Sequence, residues 1–188
     1  EQALRFAVLA ALEAQGNYAH ADTLSFADKA IHAAGQLART AFSLAWEIPA
    51  HWAKAHVFRL RGEGRAASAA SIRALQLARQ LGWADKLGLA HYDVGFSYQA
   101  GGDYEKAKQC FRAALQIWHK ANMPQGELRA RVALGACYYY LGRHDLNQQH
   151  IEQAMQIAEQ IPWNLSVTTV MSGAYNNAGD LYHWLGHN

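Results

Sequence analysis

The residues of this sequence that could carry chemistry are its ten histidines and two cysteines. His183 and His187 have the four-residue spacing that places two zinc ligands on one helix face. No further ligand accompanies them, so we do not expect a metal site. Cys110 and Cys137 stand in no metal or redox spacing, and no phosphate-binding loop or nucleophile motif is present. We therefore predict a non-catalytic protein with no cofactor and no metal.

The composition narrows the classes of partner. Apolar residues make up 51% of the 188 residues and charged residues only 17%, which is typical of a globular chain. A net charge of +2 is too small to predict a nucleic acid or membrane partner. The absence of a long apolar stretch and of a signal peptide, together with two unpaired cysteines, predicts a cytoplasmic protein. The segment from Lys54 to Lys86 is rich in basic residues, which fits either a solvated helical face or a dock for an acidic partner.

A repeated structural element must position the side chains of this protein. Segments 91–115 and 131–155 align without a gap at an offset of 40, and a weaker copy surrounds Gly62. Near the beginning of the chain, Gly16-Asn17-Tyr18 repeats the turn, with Gly16 in the place of Gly102. Residues 178–186 repeat the first half of the unit. The matched pairs of the two best copies are Gly95 and Gly135, Tyr98 and Tyr138, Gly102 and Gly142, and Ala114 and Ala154.

Each unit is predicted to be a helical hairpin. Gly95, Gly135 and Gly179 let the two helices of a hairpin approach closely, while Gly102 and Gly142 end the first helix in the left-handed conformation. A single hairpin cannot bury its apolar face, so neighbours must stack. Pro124 fits a first helical turn, whereas Pro49 either does the same or kinks a longer helix. We predict helices near 2–15, 18–40, 45–61, 65–81, 85–100, 104–121, 125–141, 145–160 and 165–185.

The pattern resembles the tetratricopeptide repeat family. The resemblance implies an all-α, right-handed superhelical solenoid of antiparallel hairpins. About four and a half hairpins would form a single domain over 1–188. Because the chain opens without Met, we expect a fragment of a longer protein. The 40-residue unit is similar to the repeats of large bacterial signal-responsive transcription regulators of the maltose-activator type, and also to kinesin light chain and polarity adaptors. The best unit carries Val94-Gly95, Tyr98, Gly102, Tyr104, Ala107, Phe111 and Ala114.

The resemblance also implies where a partner binds, because the first helices of successive repeats line the concave face in this family. Tyr98, Tyr138 and Tyr182 take core positions. Tyr138, Tyr139 and Tyr140 cannot all point inward from one helix, so at least one of them is exposed or lines the groove. We expect Arg59 and Arg129 to flank an aromatic strip and to favour a ligand with carboxylate groups. The predicted groove residues are Trp52, His56, Arg59, Tyr92, Phe96, Gln99, Arg129, Tyr139, Tyr140, Asn176, Asp180, His183 and Trp184, with Val132 and Ala136 between them.

These residues predict a binding scaffold that holds a protein, a peptide or another domain of the same chain. The alternative is a sensor for a small effector such as an oligosaccharide, because aromatic and amide side chains suit a sugar. The chain stops after the turn at Gly186, before a second helix. We therefore expect an uncovered apolar flank there and self-association through that end.

Overall fold

The chain is helical throughout the part that the structure describes. The computed structural model describes residues 1–162 and Val170, and no strand occurs among these residues. The chain divides into two compact units, unit 1 from Glu1 to Gly102 and unit 2 from Asp103 to Asn188. The predicted all-α class is confirmed, while the ninth predicted helix, 165–185, lies outside the described residues. The helices are α1 Gln2–Gly16, α2 His20–Gly35, α3 Ala41–Leu60, α4 Gly64–Leu81 and α5 Ala84–Ala100 in unit 1, and α6 Tyr104–Lys120, α7 Pro124–Tyr140 and α8 His144–Gln160 in unit 2.

Consecutive helices pack against each other within each unit, from α1 to α5 and from α6 to α8. The core of unit 1 is built largely from alanines, such as Ala27, Ala30 and Ala34 around Leu4 and Val8. Such small side chains allow helices to approach closely. In unit 2, Leu128, Ile151, Ala154 and Ala158 form a comparable cluster. The handedness of the whole stack and the single continuous domain stay predictions.

Local sequence signals explain where several helices begin. Thr40 and Ser43 form a reciprocal capping box at the start of α3. Asp103 caps α6 by accepting a hydrogen bond from the backbone of Lys106 at 3.1 Å. Hydrogen bonds from the Lys106 side chain and backbone lower the pKa of this carboxyl. Pro124 is the first residue of α7, as predicted, because it needs no N–H there.

The turns between the paired helices depend on a left-handed residue. Gly102 and Gly142 have φ of +78° and +71°, which confirms their predicted role. At the α1–α2 turn the prediction was wrong, because Tyr18, and not Gly16, takes this conformation, with φ of +56°. The first hairpin is therefore aligned two residues later than Gly16 indicated. A bulky residue with positive φ is strained, since its Cβ lies close to the backbone.

The boundaries predicted between α2 and α3 were also wrong. Helix α2 ends at Gly35 and not near residue 40, and α3 begins at Ala41 and not near 45. The Thr40 capping box fixes the start of α3, so residues 36–40 form the connection. Pro49 lies well inside α3, so it belongs to a longer helix rather than to a first turn. Its missing N–H removes one hydrogen bond of that helix.

Candidate functional site

The predicted groove residues of unit 1 lie on two helices. Trp52, His56 and Arg59 follow one another at helical spacing on α3, and Tyr92, Phe96 and Gln99 do so on α5. All six side chains are partly buried. Helices α3 and α5 touch directly, because Arg59 Nη1 donates to Asp93 Oδ1 at 2.8 Å. We call these six residues the α3–α5 face.

A buried polar network holds the α3–α5 face together. Arg59 also donates to Ser97 Oγ at 3.2 Å. From α4, Ser71 donates to Asp93 Oδ2 at 2.5 Å and lies 2.9 Å from Ser97 Oγ. Asp93, Ser71 and Ser97 are almost completely buried. The charge of Arg59 is thus neutralised inside the protein, so this residue positions α3 on α5, and the reason for expecting it to attract a ligand carboxylate is lost.

Aromatic rings and unpaired polar atoms both belong to the α3–α5 face. The rings of Tyr92 and Phe96 are in edge contact, with centroids 4.8 Å apart and planes at 89°. Trp52 Nε1 and Gln99 Oε1 are buried, and neither has a hydrogen-bond partner within the described part of the chain. A buried indole N–H and a buried amide oxygen usually find partners. The α3–α5 face therefore has one donor and one acceptor to offer.

His56 is the titratable member of the face. Burial lowers its pKa, the nearby Arg59 lowers it further, and Asp93 opposes both. The imidazole is therefore neutral at physiological pH and able to donate from one nitrogen and accept at the other.

In unit 2 the predicted residues gather where α7 ends. Tyr139 is partly buried and contacts Tyr140 and His144 edge-on, with ring centroids 5.5 and 5.6 Å apart. Tyr140 is 58% exposed and stacks on Tyr104 of α6 at 4.7 Å. Tyr138 is buried, so the predicted division of the three tyrosines is confirmed. Arg129 is partly buried on the first half of α7.

The remaining predicted site residues, Asn176, Asp180, His183 and Trp184, lie outside the described residues. The same is true of Tyr182, Gly179, His187 and the C-terminal flank for which self-association is predicted.

The basic stretch of unit 1 is largely neutralised by its own carboxylates. Lys54 Nζ lies 2.5 Å from Asp28 Oδ1, and Lys86 Nζ lies 3.4 Å from Asp85 Oδ2. Arg59 is held by Asp93, and Arg61 and Arg73 lie 4.0 and 3.9 Å from carboxylate oxygens of Glu63 and Glu47. These pairs favour a solvated, locally compensated face over a dock for an acidic partner.

Sequence reasoning missed a second polar cluster, centred on Glu47 of α3. Glu47 is only 3% exposed and accepts from Arg39, while His51 Nε2 lies 3.4 Å away. Burial alone would raise the pKa of Glu47, but the hydrogen bonds from His51 and Arg39 lower it overall. The available signal was a carboxylate on the inward side of a predicted helix, which applies to Asp93 as well.

Nothing in the described residues is arranged for catalysis by a thiol or a metal. Burial raises the pKa of the Cys137 thiol to about 12 and also raises that of Cys110, so neither is an activated nucleophile. Among residues 1–162, no group of three His, Cys, Asp or Glu side chains is placed to hold a metal ion. No helix in this part of the chain has the length and hydropathy to cross a membrane.

Comparison with known proteins defines the class of fold. The tetratricopeptide repeat family model matches residues 86–160. No curated protein sequence matches the chain. Several solved structures do share the fold, at identities that support no more than that.

Three of these neighbours show the range. BtubC from P. vanneervenii superposes with a TM-score of 0.78 at 19% identity, over 94% of this chain and 70% of BtubC. A Rap protein complexed with competence and sporulation factor gives 0.77 at 20% identity, over 97% of this chain but 52% of the Rap chain. The TPR-like repeats of a kinesin-light-chain-type protein from Podosopora anserina give 0.71 at 14% identity, over 98% and 92%. The fold is therefore that of TPR-like helical repeats.

Proposed function

We propose that this chain is a non-catalytic scaffold that holds a protein or peptide partner. Each unit has its own candidate binding surface, the α3–α5 face in unit 1 and the tyrosines at the end of α7 in unit 2. Tandem helical hairpins present such faces on rigid elements, which limits the conformational entropy lost on binding.

The observation that carries this proposal is that two residues of the α3–α5 face, which also carries aromatic rings, each have a buried polar atom without a partner in the described part of the chain. Trp52 Nε1 needs an acceptor and Gln99 Oε1 needs a donor. A peptide backbone supplies both, as C=O and N–H groups. Both atoms are covered in this structure, so a partner must displace the side chains above them. Tyr92 and Phe96 then supply the apolar area that favours binding.

The comparison structures support a binding function without identifying a partner. The Rap protein was solved in complex with competence and sporulation factor, so one neighbour of this fold holds a bound factor. Another neighbour, aspartyl phosphate phosphatase F from Bacillus subtilis, matches 97% of this chain at 13% identity. As the context of this scaffold we propose a bacterial signalling or transcription regulator in the cytoplasm, with another domain of the same chain as an alternative partner.

The test uses peptides selected from a displayed random library on the intact chain. Binding of a selected peptide is then measured by titration calorimetry for the native chain and for the Trp52→Phe, Gln99→Leu, Tyr92→Ala and Tyr139→Ala variants. For peptides that bind the α3–α5 face we expect Tyr92→Ala to weaken binding by about tenfold or more, because aromatic anchors dominate such surfaces. For peptides that bind the tyrosines of unit 2 we expect the same of Tyr139→Ala. Each variant's melting temperature is measured as well.

Phe6→Ala is the matched control, since Phe6 is an exposed aromatic on α1, outside the α3–α5 face. If the selected peptides bind all four variants as tightly as they bind the native chain, the site lies elsewhere. A large fall in the melting temperature of both tyrosine variants would instead show that these rings are core. A thermal-shift screen against oligosaccharides addresses the small-effector alternative, because stabilisation by a sugar would favour a sensor.

A further inference from the structure

A second surface, in unit 2, gathers positive charge around one tyrosine ring. The ring of Tyr138 has Lys108 Nζ 5.7 Å and Arg112 Cζ 5.9 Å from its centroid. The ring also stacks on His150, with centroids 5.3 Å apart and planes at 12°. Helices α6, α7 and α8 thus each contribute to this cluster. With Arg131, we call these residues the Tyr138 cluster.

The two arginines of the cluster hold neutral acceptors only. Arg112 Nη2 donates to Tyr138 Oη, and Arg131 Nη1 donates to Gln153 Oε1. Within residues 1–162, no ion pair joins either guanidinium to a carboxylate. The nearby Glu105 is already used by Lys108, whose Nζ lies 2.6 Å from Glu105 Oε2. Neither guanidinium therefore has, among these residues, the charged acceptor that suits it best.

The pKa of His150 is lowered both by burial and by the positive charges around it. Burial lowers its pKa to about 4, and the charges of Arg131 and Arg112 contribute to the same shift. Its Nδ1 and the Nε of Arg131 are buried and have no hydrogen-bond partner in the described part of the chain. Cationic groups of α6 and α7 therefore lie near a neutral imidazole of α8.

Unit 1 shows how the same position is neutralised elsewhere in the chain. Ten residues after the left-handed turn residue, unit 2 has Arg112 whereas unit 1 has Asp28. Asp28 pairs with Lys54, whose Nζ lies 6.0 Å from the ring of Phe58, the counterpart of Tyr138. Unit 1 thus has a carboxylate at the position that Arg112 takes in unit 2. In unit 2 the nearby Glu105 pairs with Lys108, and the two arginines have no carboxylate among the described residues.

We propose that the Tyr138 cluster binds an oxyanion, a carboxylate or phosphate group carried by a partner peptide. Arg112 is exposed and can present its free N–H groups to the anion, and Arg131 adds charge from the neighbouring helix α7. The planar guanidinium fork matches two oxygens of either group. This site is separate from the α3–α5 face and does not depend on it.

The experiment measures binding of three peptides of equal length to the intact chain: one rich in glutamate, one carrying phosphoserine, and one in which glutamine replaces every acidic residue. We expect at least one anionic peptide to bind and the glutamine peptide not to bind. Arg112→Gln/Arg131→Gln should weaken that binding by about tenfold or more, since charge-assisted hydrogen bonds are lost. Circular dichroism checks that the double variant keeps its helices.

Arg143→Gln is the control, because Arg143 is an exposed arginine of unit 2 paired with Asp145, outside the cluster. NMR titration of His150 gives a second readout, in which inorganic phosphate or acetate raises its pKa above about 4. Preference for the glutamate or the phosphoserine peptide assigns the source of the oxyanion. Equal loss in the control and the double variant, or no change at His150 with either anion, overturns the proposal.

Discussion

The hairpins α3–α4 and α7–α8 have similar turns but fill the space between their helices differently. In α3–α4, Ala55 and Ala67 occupy matching inward positions and both are fully buried. In α7–α8 the same positions hold Gly135 and Asn147. A Cβ on Gly135 would lie 3.0 Å from Asn147 Oδ1 and 2.9 Å from Ile151 Cδ1. Compared with α3–α4, the hairpin α7–α8 thus lacks a methyl group on its first helix and carries an amide on its second.

The same exchange of volume occurs where each hairpin meets the preceding helix. At the α2–α3 contact, Trp46 on α3 packs on a cluster that includes Ala34 of α2. At the α6–α7 contact the large residue is Trp118 on α6, and the small one is Gly126 on α7. A Cβ on Gly126 would lie 2.4 Å from the Trp118 ring. A TPR-like backbone thus accepts a large side chain on either helix of such a contact, provided that the facing residue on the other helix is small.

The largest expected effect is therefore at Gly126. Gly126→Ala places a methyl group inside the Trp118 ring, which must shift within a buried site. We expect the free energy of unfolding to fall by about 3 kcal/mol, the upper range for overpacking. Chemical denaturation followed by circular dichroism measures it. Gly16→Ala is the control, since its Cβ meets nothing within 4 Å. Equal stability of the two variants would contradict the role given to Trp118.

The next largest effect compares the contributions to stability of two carboxylates, Glu47 in α3 and Glu127 in α7. Glu47 is buried and held by Arg39 and His51. Within the described residues Glu127 pairs only with His119, at 3.1 Å, and the His119 side chain is largely exposed. We expect Glu47→Gln to cost about 2 kcal/mol, because it leaves buried donors without a charged acceptor. Glu127→Gln should cost less than about 1 kcal/mol.

The pH dependence sharpens this second comparison. The pKa of Glu47 is lowered in the folded state. Its stabilisation is therefore complete above the unfolded pKa and is lost as the pH falls through the folded pKa. The difference between the native chain and Glu47→Gln should shrink in acid, as denaturation at several pH values will show. A difference that persists below both pKa values would point to packing, not charge.

Gly135 and Asn147 form a coupled pair of smaller effect. Gly135→Ala alone should destabilise the chain by about 1 to 2 kcal/mol through its clash with Asn147 and Ile151. Asn147→Ala removes two buried polar atoms that lack partners in the described chain. The double variant recreates the alanine pair of α3–α4, and we expect it to be more stable than the native protein by about 1 kcal/mol. Additive effects in a double-mutant cycle would show that the two positions are independent.

The smallest effect compares two turns. Tyr18→Gly should stabilise the chain by up to about 1 kcal/mol, because glycine adopts φ of +56° without steric cost and the Tyr18 ring is mostly exposed. Gly142→Ala should destabilise it by about 1 kcal/mol, although nothing surrounds its Cβ. Urea midpoints of the two variants provide the test. A loss of stability in Tyr18→Gly would mean that the ring makes contacts that outweigh its backbone strain.

Features that depend on local sequence were predictable. The left-handed glycines follow from a repeat visible at a fixed offset. The helix start at Pro124 follows from the preference of proline for a first turn, and the buried Tyr138 from the family resemblance. Tyr18 was missed because no side-chain rule predicts tyrosine where glycine is usual. Asp93 and Ser71 are 22 residues apart and meet only after three helices have packed. The pairing of Trp118 with Gly126 likewise depends on helix contact, which periodicity cannot specify.

For the site, sequence placed the aromatic residues of α3 and α5 on adjoining helices but misjudged Arg59. A charge pattern cannot show that an arginine is already paired with a carboxylate 34 residues away. The Tyr138 cluster escaped notice for the opposite reason. Its arginines are ordinary in sequence, and only the missing carboxylates around them distinguish the surface.

The burial of Cys137 gives unit 2 a built-in reporter of local opening. A thiol reagent in solution cannot reach this sulfur while α7 stays packed, and the pKa of about 12 keeps it protonated. Once Cys110 is replaced by serine, every modification event must follow a separation of helices. At high reagent concentration the labelling rate becomes the opening rate itself. The native Cys137 thiol thus allows the opening rate of this hairpin to be measured without the introduction of a probe.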